Sequence, residues 1–155
     1  MKARMTQTFS GYRRILMPTQ FSEHCERTAL HAAWLAQQSH GTLHLAHVVE
    51  NPLDPIYKPE DVQHWVVVEH ANAVAQTMLE AAARRGVPPD VPFELHVLSG
   101  LPADKLVALA ESIGADLIVM STHATSSIAH MLLGDTAEKV SRHARCPVLL
   151  VHVPR

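Results

Sequence analysis

Short apolar runs alternate along this chain with longer segments in which apolar residues recur every three or four positions. The short runs are typical of buried strands, and the longer periodicity is typical of amphipathic helices. The pattern predicts five strands, at residues 15–17, 42–49, 93–98, 117–120 and 147–153. It also predicts four helices, which begin at the N-cap Ser22, near Glu60, at Leu101 and at Gly134.

Strands and helices alternate, and every crossover between strands is long enough to hold a helix. Parallel strands need such crossovers, so we expect a mostly parallel sheet with helices on both faces. The fold class is therefore α/β, as an open doubly wound sheet. A length of 155 residues favours one domain, which we place at residues 12–155 after a flexible tail at 1–11.

Two details of the helices are predicted more finely. Gly41 is expected to close the first helix, because glycine readily adopts the left-handed conformation that ends many helices. In the second helix, apolar residues at helical spacing predict the face that packs into the core. These residues are Val67, Ala71, Val74, Met78 and Ala82. The proline-rich segment 50–59 that precedes this helix is expected to be a loop.

Charge and composition exclude several classes of protein. The formal net charge is −2, whereas nucleic-acid-binding domains usually carry a concentrated basic excess. We therefore expect no nucleic-acid partner. No apolar segment reaches the 18 residues of a membrane helix, and no secretory signal is recognisable, so we expect a cytoplasmic protein without membrane contact. Cys25 and Cys146 are expected to be reduced thiols.

Glycine and histidine spacing argue against three familiar nucleotide or nucleophile motifs and against a metal centre. Neighbouring glycines are at least 14 residues apart, which excludes the Rossmann fingerprint, the P-loop and the nucleophile elbow. A catalytic α/β hydrolase, the third functional class, lacks its motif here and would need an activity that disappears when a named serine is replaced. No histidine is followed by glutamate, and His40 and His44 lie on either side of Gly41. We therefore interpret the twelve histidines as surface residues and expect no metal site.

Polar residues follow the strands at the edge where open parallel sheets bind ligands, outside the carboxyl ends of the strands. Among these positions are Gln20 after the first strand and Ser121 after the fourth. Gly134 opens the last helix, whose free N–H groups suit a phosphate. The alternative interpretation is that these are simply polar strand ends.

Three stretches of this sequence together resemble the universal stress protein family. They are ILMPTQFSE, GADLIVMSTHA and LLGDTAEKVSRHARCPVLLVHV, and the resemblance covers the chain from about Tyr12 to Val153. It implies a sheet with strand order 3-2-1-4-5, a homodimer paired along the fifth strand, and a role in stress survival. The interface would include Val148 and Leu150.

Some members of this family bind ATP through an acidic residue after the first strand and a G-x2-G-x9-G-[ST] loop after the fourth. Of the matching positions only Gly134 keeps the family's residue. Gln20, Ser121, Ala124 and Asp135 all depart from it. The resemblance implies a degenerate nucleotide site formed by Pro18, Thr19, Gln20, Val48, Ser121, His123, Ala124, Gly134, Asp135 and Thr136.

We expect this site to bind ATP weakly or not at all. No lysine or arginine occurs between Ser121 and Thr136, and the Asp135 carboxylate would repel a phosphate. The simpler interpretation of Asp135 is a helix-capping residue. A regulatory module without catalytic residues is thus the favoured function, and an adenine-nucleotide sensor or slow ATPase is the alternative.

Overall fold

The computed structural model describes residues 9–50, 62–122 and 134–152 of the chain. Five strands and four helices alternate along it. They are β1 (Arg14–Pro18), α1 (Glu23–Ser39), β2 (Thr42–Val49), α2 (Val62–Gly86), β3 (Phe93–Ser99), α3 (Pro102–Ile113), β4 (Leu117–Thr122), α4 (Asp135–His143) and β5 (Val148–His152). The first eight residues of the predicted tail and most of the predicted proline-rich loop lie outside the described residues.

The strands form one parallel sheet in the order β3-β2-β1-β4-β5. This confirms the predicted fold class and strand order. The chain builds outward from β1 through β2 to β3, then returns to the other side of β1 with β4 and β5. The order reverses between β1 and β4, and a crevice opens at such a point beyond the carboxyl ends of the strands.

Each face of the sheet carries one apolar cluster, because successive strand residues point to opposite faces. Ile15 and Met17 of β1 pack beneath α1 and α2, whereas Leu16 between them packs beneath α3 and α4. All three side chains are buried. An unbroken apolar run is what a strand covered on both faces requires, which explains the composition of β1 and β4.

The start of α1 agrees with the prediction, but its end does not. The Ser22 side chain accepts a hydrogen bond from the Cys25 N–H, as an N-cap residue should. At the other end His40, not Gly41, adopts the left-handed conformation with φ 50°. Gly41 is required for a different reason, since a Cβ at this position would collide with the Tyr12 carbonyl oxygen.

The predicted core face of α2 was wrong. Val67, Val74 and Met78 are 45%, 45% and 43% exposed, and the residues fully packed into the core are Ala75, Leu79 and Ala83. Each of these directly follows a residue of the predicted stripe, which corresponds to a rotation of about 100° around the helix. Apolar residues occupy two neighbouring faces of α2, so periodicity alone did not select the buried one.

The prediction that all histidines are surface residues was wrong. His44 of β2 is 4% exposed. His47 and His96 are half-buried. These rings lie on β2 and β3, where the helices cover the sheet. In the described part of the chain, no helix has both the length and the apolar character needed to cross a membrane.

Candidate functional site

A cavity of about 280 Å³ lies at the crevice between β1 and β4. Its walls are the carboxyl ends of β1, β2 and β4 and the first turns of α3 and α4. Eight residues predicted for a nucleotide site line it: Pro18, Thr19, Gln20, Val48, Ser121, Gly134, Asp135 and Thr136. The other two, His123 and Ala124, lie outside the described residues.

The turn after β1 forms one wall of the cavity. The Thr19 N–H donates to the Ala46 carbonyl oxygen at 2.8 Å, and the Phe21 N–H donates to Thr19 Oγ1 at 3.1 Å. Phe21 has φ 60°, a conformation that is strained for a bulky side chain. Between these two anchored residues, Gln20 is presented with its side chain exposed.

His47 holds the same turn from β2. Its Nδ1 lies 2.7 Å from the Thr19 carbonyl oxygen. Because a carbonyl oxygen only accepts, Nδ1 carries the proton and donates. The ring also packs against Phe21, with the ring centroids 4.5 Å apart. His47 could not be found from the sequence, because its position on a predicted strand gives no sign of a contact with the distant turn.

Cys25 lies beneath the cavity and joins the β1 turn to β4. Its Sγ accepts from the Gln20 N–H and the Ser22 hydroxyl, each at 3.3 Å, and lies 3.8 Å from Ser121 Oγ. Burial alone would raise the pKa of this thiol, but the hydrogen bonds from Gln20, Ser22, Thr19 and Ser121 together lower it below its ordinary value. The thiol thus stabilises the wall in its observed shape.

The other cysteine behaves in the opposite way. Cys146 is half-buried before β5, and burial raises the pKa of its thiol. Both cysteines are free thiols in the structure, as predicted. Only Cys25 borders the cavity.

The charge of the cavity is set by α4 and the end of β2. Gly134 is the N-cap of α4 and makes no side-chain capping bond, and Asp135 is the first helical residue. The interpretation of Asp135 as the capping residue was therefore wrong. Asp135 and Glu50 both line the cavity, and none of its described lining residues is lysine or arginine.

A larger cavity of about 610 Å³ opens between α1 and α2. It shares Thr19 and Cys25 with the first one, and most of its other lining residues belong to α1 and the end of α2. Arg85 and Glu26 form an ion pair of 3.3 Å among the residues that line it. Of the carboxyl strand ends that the structure describes, the larger cavity reaches only that of β1, whereas the smaller crevice lies where those of β1, β2 and β4 meet, so the smaller crevice is the stronger candidate for a ligand site.

Comparison with known proteins agrees with this architecture. Residues 11–152 match the model of the universal stress protein family. The chain belongs to this family. A universal stress protein of Methanocaldococcus jannaschii is 30% identical over 145 residues, which is 93% of this chain and 84% of that protein. Universal stress protein G of Escherichia coli O157:H7 is 32% identical over 144 residues, which covers 90% and 99% of the two chains.

A solved structure adds a ligand to the comparison. It is a universal stress protein in complex with cAMP, which is 27% identical to this one with a TM-score of 0.60. The match covers 92% of this chain and 98% of that chain. The comparisons thus confirm the family and the fold that the sequence resemblance implied for this universal stress protein.

Proposed function

We propose that this universal stress protein is a cytoplasmic homodimeric stress-response module that acts by regulation or protection rather than by turnover, and that its crevice does not hold ATP tightly. The charge of the crevice is the observation that supports weak ATP binding. Two carboxylates, of Asp135 and Glu50, line it, and its described lining contains no lysine or arginine. Polyphosphate binding ordinarily relies on cations and free helix N–H groups.

Asp135 weakens the attraction of the α4 N-terminus for a phosphate. The N-terminus of α4 carries a partial positive charge from the helix dipole, worth about 0.3–1 kcal/mol to a nearby anion at an exposed site. The Asp135 carboxylate, at the first helical position, already interacts with this partial charge. A phosphate about 4 Å from it would be repelled by about 1 kcal/mol in water and about 4 kcal/mol at an effective dielectric constant near 20.

Calorimetric titration with ATP and Mg²⁺ tests this proposal. The unmodified protein is compared with a variant that carries Gln20→Asp, Ser121→Gly, Ala124→Gly and Asp135→Ser, which restores the family's ATP-binding residues at these positions. We expect no tight binding by the unmodified protein and measurable binding by the variant. Micromolar or tighter binding by the unmodified protein would refute the proposal.

A second candidate function, an adenine-nucleotide sensor, is supported by two observations. Among the described residues, a Cβ at Gly134 would meet nothing within 4 Å, so none of them requires glycine there and the backbone is open on their side to close approach by a ligand. One structural relative is a complex with cAMP, which carries a single phosphate charge. A monoanionic phosphate would meet less repulsion from Asp135 than ATP would.

Mass spectrometry of the small molecules released from freshly purified, denatured protein separates the two functions. A nucleotide recovered in stoichiometric amount favours the sensor. Protein that carries none, and that gains none when incubated with cAMP or ATP, favours the module without a tightly bound nucleotide.

The homodimer is proposed from the position of β5. It is an edge strand, and an unprotected edge presents free N–H and C=O groups that natural proteins normally cover. Val148 and Leu150 pack partly against the core on the α3 and α4 side, while Leu149 between them is 39% exposed. Pairing of two β5 edges would cover the backbone groups and this leucine. A monomer in light scattering at micromolar concentration would exclude it.

A further inference from the structure

Three potential metal ligands meet on β2 and β3, on the opposite side of β1 from β4 and β5. Glu94 lies directly opposite His44 in the parallel register, and His96 lies opposite Ala46, so all three side chains share one face of the sheet. His44 Nδ1 lies 3.1 Å from His96 Nε2 and 3.6 Å from Glu94 Oε2. One ligand atom from each residue lies within 4.8 Å of the others.

The environment of His44 points toward this cluster. Its ring is buried, and its polar contacts lie on the Nδ1 side, toward His96 and Glu94. In the part of the chain that the structure describes, Nε2 of the same ring has no hydrogen-bond partner. Nδ1 is therefore the atom through which this buried ring can bind a ligand together with His96 and Glu94.

The contact between the two facing imidazoles can be satisfied in two ways. One ring can donate a proton to the lone pair of the other across the 3.1 Å between Nδ1 of His44 and Nε2 of His96, or both lone pairs can bind one metal ion. Neutral rings with available lone pairs are the form that ligates metals.

We propose that His44, His96 and Glu94 bind a divalent transition-metal ion, with Zn²⁺ as the probe. Two imidazoles and one carboxylate are an established donor set for Zn²⁺. Bonds of 2.0–2.1 Å at tetrahedral angles place ligand atoms roughly 3.3 Å apart, between the 3.1 Å and 3.6 Å observed here. The Glu94 side chain is 62% exposed, so it can close on the ion without disturbing the core.

Three protein ligands leave a fourth position for water or another ligand, as in zinc sites that exchange ligands. The ion would join the edge strand β3 to β2. None of the three residues lines the candidate nucleotide crevice, although Ala46, which lies opposite His96, does. The proposal therefore stands or falls independently of nucleotide binding.

Calorimetric titration of chelator-treated, dialysed protein with Zn²⁺ tests the site. We compare the unmodified protein with Glu94→Gln and His96→Gln, and with two control variants that remove an exposed residue of each type elsewhere, Glu69→Gln and His143→Gln. One tight ion per chain is expected. Each ligand variant should bind this ion at least tenfold more weakly, because even the loss of an outer-shell partner commonly costs 10–100-fold. The controls should bind as the unmodified protein does.

Co²⁺ provides a second readout, because its visible absorption reports tetrahedral coordination. Intense bands are expected for the unmodified protein and the controls, with altered or lost bands for the two ligand variants. Circular dichroism of each metal-free variant verifies the fold, and Glu94→Gln changes an exposed side chain. Equal Zn²⁺ affinity in the unmodified protein and both ligand variants, or no tight ion in the unmodified protein, would overturn the proposal.

Discussion

Replacing Asp135 by asparagine removes one negative charge from the mouth of the crevice while keeping the size of the side chain. If repulsion limits nucleotide binding, the gain in affinity should scale with the charge of the ligand. Adenosine should gain nothing, cAMP a modest amount, and ATP the most. This series separates charge repulsion from any change in the shape of the crevice.

The expected size follows from the exposure of Asp135. Two unit charges 4 Å apart interact by about 1 kcal/mol in water and by about 4 kcal/mol at an effective dielectric constant of 20. Asp135 is exposed, which favours the lower value. Since 1.4 kcal/mol corresponds to a tenfold change in affinity, each ligand charge at this distance should contribute about fivefold.

Calorimetric titration at low ionic strength, repeated at about 1 M salt, measures this effect. The Debye length falls to about 3 Å at 1 M, so the gain should largely disappear there. Glu138→Gln is the matched control, because Glu138 lies in the same first turn of α4 but does not line the crevice. A gain for adenosine equal to that for ATP, or no gain for ATP, would refute the electrostatic explanation.

Three further predictions concern association, ionisation and packing. Leu149→Lys should convert the proposed dimer to monomer in light scattering, because it places a charge on the exposed β5 edge. A dimer that persists in this variant would contradict pairing through β5. In urea unfolding, the free energy of unfolding of the unmodified protein minus that of Cys25→Ser should increase as the pH rises from neutral. The pKa of Cys25 is lowered in the folded state, so the unfolded state holds more bound protons at this position. The raised pKa of Cys146 predicts the opposite trend for Cys146→Ser. Leu79→Ala should lower the free energy of unfolding by about 2–5 kcal/mol, and Met78→Ala by clearly less; equal losses would contradict the observed rotation of α2.

The order of the elements could be predicted because it depends on local patterns. Apolar runs buried on both faces, helix-starting residues such as Ser22, and crossovers of sufficient length leave few arrangements other than a parallel α/β sheet. The general position of the candidate site followed as well, since the carboxyl ends of parallel strands meet at one edge. Gln20, Ser121 and Asp135 therefore line one cavity although they are far apart in the sequence.

The rotation of α2 could not be predicted in the same way. Its apolar residues cover two neighbouring faces, and the difference between burying Met78 and burying Leu79 is decided by the neighbouring β-strands and α1. When a helix has more than one apolar face, the face that is buried is the one whose side chains best fill the space against the neighbouring elements. The shape of that space is set by those elements and not by the helix itself.

By itself the sequence determined the family, the fold class, and the polar, cation-poor character of the candidate crevice, because these depend on which residues occur and in what order. The tertiary structure alone decided which distant side chains meet. It placed Cys25 beneath the turn after β1 and brought His44, Glu94 and His96 together. Such contacts arise from strand register and from burial, and a register is set by the packing of the whole sheet rather than by any single segment of the chain.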